Sequence, residues 1–519
     1  MERNNGMEPV RAALARIPRW ILVCMGSSLL CGLLIHGFMM TNKLPNHDDV
    51  AFLNSIGYTL VSGRWFLALL GKLGEPWSMP WVNGLVAIVC TGGASCFILA
   101  TLSQRDTVSA AVLPFLLLSF PSAANIFSYM YFAGVFFFGI LLTSAAVYCV
   151  ARFHWAGLPA GVVLLACAMG VYQAYVCFAA GLLLLWAIRV LLDPAQKPRA
   201  VLWAAVRALL LLAVSTGVYV LVLRVCLRLS GTQLFSYQGI SAMGSLKLSA
   251  LPRLCVRAYR EIANYFVLKP PAFVPGALRV ANAMLLIGMA GMLLCLLLWS
   301  RETPLWRRLL CAVMAGLLPL ALAGIYVIAP DSNVHMVMLY PYALYYVAGL
   351  FLLAQFLGRR PEKRAAPKLA AALVALCLLL SGLCGALVSN RAYLASKLAF
   401  DRAYAFFNRM VLRLEDSGLF EPGDTLAVVG SCHQDFFGEE AVFADIEGMT
   451  GFDKAADMLD YDAGARSDFL RTYVGLNAAY DDYYQWNWQS VPEIVEMPAY
   501  PAEGSIRRVG DAVIVKMGD

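Results

Sequence analysis

The sequence predicts a polytopic α-helical membrane protein with about eleven transmembrane helices, followed by a small C-terminal extracytoplasmic α/β domain. Three observations carry this. The chain is 60% hydrophobic and only 14% charged over 519 residues, where a soluble protein carries about a quarter charged residues. Many apolar runs reach the roughly 20 residues that span a bilayer. The basic residues gather in short loops, and one orientation places every such loop on the cytoplasmic side. That arrangement accounts for the net charge of +7 and leaves no footprint for nucleic acid. Most of the 14 cysteines lie inside apolar runs, where they act as small hydrophobes. No C-x-x-C pair occurs, so neither a zinc site nor a disulfide framework is indicated. No metal and no cofactor are expected.

The first apolar run, residues 17–40, follows Arg3, Arg11, Arg16 and Arg19. It is too long for a signal-peptide core and no small-residue cleavage site follows it, so it reads as a retained helix with a cytoplasmic N-terminus. Residues 41–80 then lie outside, and they carry Asn46-His47-Asp48-Asp49 and Gly63-Arg64-Trp65. Helices are expected at 81–102, 107–125 and 128–150. Residues 157–192 are too long for one span, and a break near 170–175 makes two short helices meeting at the outer surface. Polar residues at such a break line a cavity rather than face lipid. Further helices are expected at 203–225, 277–299, 309–329, 337–357 and 369–389. The long external loop 226–274 contains an amphipathic stretch, 255–267, with Arg257 and Glu261 four apart on one face. Arg359, Arg360, Lys363, Arg364 and Lys368 form the strongest cytoplasmic mark.

After residue 389 the chain changes character, which divides it into a transmembrane domain, 1–389, and an extracytoplasmic domain, 390–519. Residues 394–414 read as an amphipathic helix and 425–430 as a short apolar strand. Residues 505–509 and 512–516, separated by Gly510-Asp511, read as a terminal hairpin.

The external polar residues form one cluster of chemistry: Asp48, Asp49, Arg64, Glu75, Tyr172, Gln173, Arg253, Arg257, Arg260, Lys269 and His335. Charge beside hydrocarbon is costly, so an acidic pair at the mouth of a membrane helix marks function. The plainer alternative is a helix cap and first-turn acid in solvent. A carboxylate can deprotonate an acceptor hydroxyl, and arginine can hold a departing phosphate through two parallel hydrogen bonds. A sugar on a lipid phosphate at the membrane surface suits both. Asp48 and Asp49 are therefore the candidate bases. Arg64 is the first candidate for the phosphate and Arg257 the second, with Arg253, Arg260 and Lys269 beside them. Glu75, Tyr172, Gln173 and His335 are candidates for the substrate cavity. Each has a plainer reading: Arg64 as a snorkelling side chain, the arginines of 253–260 as a solvated face, His335 as a turn residue, Lys43 and Lys72 as interfacial anchors. The aromatic stretch 480–488, with Tyr484, Trp486 and Trp488, suits a carbohydrate acceptor. It also suits headgroup anchors or a small core.

One span, then Asp-Asp, then Gly-Arg-Trp, then many helices resembles the bacterial glucosyl transferase II family of O-antigen modification. Phe120-Pro121-Ser122, Tyr172-Gln173-Ala174-Tyr175, Asn390-Arg391-Ala392-Tyr393 and Met497-Pro498-Ala499-Tyr500-Pro501 with Gly504-Ser505 agree with it in order. The resemblance implies a GT-C type membrane glycosyltransferase. It implies a polyprenyl-phosphate donor, usually undecaprenyl-phosphate glucose, used outside the bacterial cytoplasmic membrane on a surface polysaccharide. The catalytic acid of the class lies in the first external loop, which corresponds here to Asp48 or Asp49. The alternative is a flippase or transporter for lipid-linked sugar. Such carriers show buried charges mid-helix or repeated halves, and the sequence shows neither.

Overall fold

The computed structural model describes residues 16–51, 59–73, 78–235, 248–299, 303–359, 365–438, 440–460, 464–481, 488 and 490–518. Apolar runs with no water to pair their backbone close their hydrogen bonds internally as helices. In chain order these are α1 Arg19–Thr41, the short α2 His47–Ala51, α3 Trp65–Leu73 and α4 Pro80–Leu102. Then come α5 Thr107–Ser119, α6 Pro121–Ser128, α7 Met130–Phe153, α8 Leu158–Val171, α9 Tyr175–Leu192 and α10 Pro198–Ser230. The series ends with α11 Leu251–Ala263, α12 Gly276–Trp299, α13 Leu305–Leu322, α14 Leu344–Gly358 and α15 Ala365–Asp416.

Among the described residues nine helices are long and apolar enough to cross a membrane. The α5–α6 pair, bent by 57°, and the 14-residue α8 supply two further apolar segments. Against the eleven read from the sequence, nine of the described helices, or ten with the bent pair, are long enough to cross, and the chain is a polytopic membrane protein. The α5–α6 bend has a local cause. Pro121 has no N–H to donate and starts a new helix, and Phe120 before it is extended at φ −63°, ψ 130°. The break expected near 170–175 lies between α8 and α9. Close approach of helices depends on small residues: Ser28 Oγ on α1 donates to Ile88 O on α4 at 2.7 Å.

The bundle has two chemically different ends. At one, Arg307 donates to Val190 O (2.8 Å) and Asp193 O (2.6 Å), and Arg359 to Leu192 O (2.9 Å) and Leu296 O (3.0 Å). These arginines satisfy carbonyls that helix C-termini leave unpaired. At the other end, where α9 begins, lie α2, α3, the α8–α9 break and the Pro330–Met336 turn.

Two sequence expectations change here. Residues 369–389 and 394–414 are not separate helices: α15 runs through both, 52 residues long. Neither Gly nor Pro interrupts 386–416, and the junction is held by Tyr393, whose hydroxyl meets His36 Nδ1 at 2.6 Å. The 389/390 boundary thus falls inside a helix. Second, the amphipathic stretch 255–267 is α11 followed by a π-turn, Asn264–Leu268, and it buries Leu254, Ala258 and Ile262 at four-residue spacing. Its Arg257 does not pair with Glu261. Arg257 Nη1 donates to Pro330 O at 2.8 Å and the guanidinium lies 5.2 Å over the Tyr326 ring, while Glu261 meets Arg260 at 3.3 Å.

Beyond α15 a four-stranded sheet forms from β1 Thr425–Val429, β2 Ala479–Tyr480, β3 Ile506–Val509 and β4 Ala512–Lys516, in the order β2-β1-β4-β3. The expected hairpin is β3–β4, antiparallel, while β1 pairs in parallel with β2 and β4. Alternate residues of β1 face opposite sides. Leu426 and Val428 pack with Phe406, Phe407 and Met410 of α15, and Ala427 and Val429 with Ile494, Met497 and Ile514.

Candidate active site

The site begins at α2. Asn46 caps it, its Oδ1 accepting from the Asp49 N–H at 2.8 Å, and its Nδ2 donates to Ser128 O at the end of α6 (3.2 Å). Asp48 and Asp49 are thus first-turn acids, which the positive helix N-terminus favours. They are not in open solvent, and they are not equivalent. Asp49 is fully buried and its Oδ2 pairs with Lys43; its Oδ1 has no partner among the described residues. Lys43, expected as an interfacial anchor, instead turns inward, because a buried carboxylate requires a counter-charge. Asp48 keeps 27% of its side chain exposed. Burial raises its carboxyl above the ordinary range; His47 and Arg64 work against this, and Asp453 and Asp49 add to it.

His47 stands between Asp48 and the C-terminal region. Its backbone N–H (3.1 Å) and ring Nδ1 (2.7 Å) both donate to Asp453 Oδ2, and its Nε2 lies 3.8 Å from Asp48 Oδ1. The segment bearing Asp453 is seated by Thr450, whose Oγ1 accepts from the Met336 N–H at 3.1 Å. Gly451, at φ +80°, comes so near α6 that a Cβ there would sit 2.1 Å from Ser128 Oγ.

Arg64 is positioned by a turn and by the α8–α9 break. Its N–H donates to Thr59 O at 2.9 Å. Gly63, at φ +81°, admits no side chain, since a Cβ would meet Gln173 Nε2 at 2.6 Å. Gln173 Nε2 donates to Ser62 O (2.9 Å) and Tyr219 OH to Gly63 O (3.0 Å). The guanidinium lies 5.0 Å over the Tyr172 ring. No described carboxylate stands within 4.0 Å of it, and its buried Nε has no described partner. Tyr172 is therefore a platform for Arg64, and Gln173 a clamp on its turn.

The other candidates are dispersed. Arg253 is exposed, and Arg260 keeps 65% of its side chain in the open. Arg257 is engaged at Pro330 as described. Lys269 and His335 line a cavity of about 530 Å³ beside His47, with Glu261, Asn264 and Tyr326 in its wall and 448–453 along one side. Burial, His47 and Arg64 lower the basicity of His335. Trp488 donates its indole N–H to Asp481 Oδ2 at 3.0 Å and packs, partly buried, against the Ile494 cluster. Glu75, Tyr484 and Trp486 lie outside the described residues, as does the side chain of Lys72. Among the described residues no three His, Cys, Asp or Glu converge as metal ligands.

Three participants escaped the sequence reading: Lys43 as a partner, His47 as a bridge, and Asp453. His47 stood inside the acidic stretch. Asp453 carried no motif; its only trace was the pair Gly448 and Gly451, both at positive φ.

The family model described as glucosyl transferase GtrII matches residues 37–353. That segment contains Lys43, His47, Asp48, Asp49, Arg64 and His335 and stops short of Asp453. No curated protein and no solved structure matches.

Proposed function

We propose, from the premise that the chain belongs to the GtrII glucosyl transferase family, that this membrane glycosyltransferase moves glucose from a polyprenyl-phosphate donor to a surface polysaccharide. In this reading the fold is GT-C-like, the donor is undecaprenyl-phosphate glucose, and the reaction takes place outside the bacterial cytoplasmic membrane. Residues 1–389 supply the transmembrane domain and 390–519 the extracytoplasmic one. The gathering of Arg307 and Arg359 at the end of the bundle away from Asp48 supports that orientation, since cationic loops remain in the cytoplasm.

The observation that carries the reading is the juxtaposition of a part-exposed carboxylate of raised proton affinity with an arginine that has no described carboxylate on it. A base of raised proton affinity is better matched to neutral pH. Asp48 removes the proton of the acceptor hydroxyl as its oxygen attacks the anomeric carbon. The bond from that carbon to the phosphate oxygen breaks, the configuration inverts, and polyprenyl phosphate leaves with both electrons. Arg64, whose buried Nε has no partner among the described residues, receives the phosphate charge. Asp49, neutralised by Lys43, holds the loop.

Purified protein in liposomes, given polyprenyl-phosphate [14C]glucose and glycan oligosaccharides released from the source cells, should label the glycan. Asp48→Asn should abolish labelling while the melting temperature holds. Wild-type turnover in that variant would overturn the assignment.

A further inference from the structure

We infer that the cavity between His47 and Lys269 is a carbohydrate-binding site that holds a sugar residue of the acceptor. The occupant's identity as acceptor rests on the transferase reading; the sugar chemistry of the site does not.

The cavity wall offers a carboxylate from Glu261, an amide from Asn264 and the rings of Tyr265, Tyr326 and Tyr342. Aromatic faces pack against the apolar faces of a pyranose, while carboxylates and amides pair its hydroxyls. Its volume, about 530 Å³, lies in the range of small-ligand sites. Two wall residues, Tyr265 and Tyr342, carry buried hydroxyls with no hydrogen-bond partner among the described residues. Buried polar groups are nearly always paired, and leaving one unpaired costs free energy, so a hydroxyl-rich ligand in the cavity completes this wall.

The charges argue against a phosphate in the same place. Glu261 and Asp453 put two carboxylates on the cavity, and Arg257 of α11 is turned onto Pro330 O and Tyr326. Lys269 is exposed at the rim. A neutral polyol meets no such repulsion. The position also fits the reaction. His47 is at once a cavity wall and 3.8 Å from Asp48, so a sugar bound here stands beside the base, while Arg64 is not part of the wall. The segment 448–453 closes one side through Thr450, Gly451 and Asp453, which makes the C-terminal region part of acceptor recognition.

The test is binding of oligosaccharides released from the source cells' surface glycan to the full chain in nanodiscs, followed by calorimetry. Glu261→Gln and Asn264→Ala should each weaken binding about tenfold, the loss of one or two hydrogen bonds. The exposed Arg507→Ala, on β3, should leave it unchanged. Absence of binding to the wild type, or wild-type affinity in both cavity variants, would overturn the site. If binding follows the expected pattern while no glucose is transferred, the carbohydrate site stands and the transferase reading fails.

Discussion

At the scale of the residue, burial and partners separate two aspartates that the sequence leaves equivalent. Asp49 has lost its solvent and gained Lys43; Asp48 has kept part of its solvent beside His47 and Arg64. The pH dependence follows from the raised affinity of Asp48 for a proton. A carboxyl protonated below its own pKa cannot act as base, so turnover falls as pH falls, and it does so above the value of about 3.9 of an ordinary aspartate. The Arg64 charge favours the ionised form, so Arg64→Ala should move this acid limb to higher pH, besides lowering the rate. A pH–rate profile of both enzymes reads the shift, and movement towards lower pH would contradict it. Lys43→Met should unfold the protein more easily, by about 3–5 kcal/mol, since it strands a buried charge. Adding Asp49→Asn should recover most of that loss, and thermal unfolding in detergent measures both. If the single and double variants melt alike, the pair does not carry that stability.

At the scale of the element, the question is where helices stop. Pro121 and the polar break at 172–174 end their helices by chemistry visible in the sequence. Residues 390–393 offer no breaker, and α15 passes through them. This gives a discriminating substitution. Proline is tolerated in the first turn of a helix but costs about 3 kcal/mol in its interior. Leu394 would open a helix that began there; in α15 it is interior and half exposed. Leu394→Pro should therefore destabilise by about 3 kcal/mol, in chemical denaturation. A change of a few tenths would mean that two helices meet at this point.

At the scale of the whole molecule, the bundle sorts its charges. Arginines close one end by binding helix carbonyls, and the other end gathers Asp48, Arg64, His47 and Asp453. With the basic end in the cytoplasm, an epitope inserted at the Gly510 turn of the β3–β4 hairpin should be reached by antibody on cells whose outer barriers alone are opened. An epitope at the Lys197 turn should require a permeabilised cytoplasmic membrane. The reverse pattern would invert the orientation and move the chemistry into the cytoplasm.

What the sequence determined by itself was whatever depends on local composition and period. Apolar length announced the membrane segments, and Gly510-Asp511 between two short strands announced the hairpin; the helix expected over 107–125 breaks at Phe120, where Pro121 starts a new one. The acidic pair and Arg64 were legible because charge is scarce beside hydrocarbon. What only the tertiary structure decided was pairing across distance. Asp453 lies 406 positions from His47, and no local pattern encodes such a contact. The same holds for the inward turn of Lys43, the platform that Tyr172 makes for Arg64, and the placing of Lys269 rather than Arg253 or Arg260 at the cavity. Each depends on which helices pack together, and packing follows from the shape of many side chains at once rather than from any one stretch.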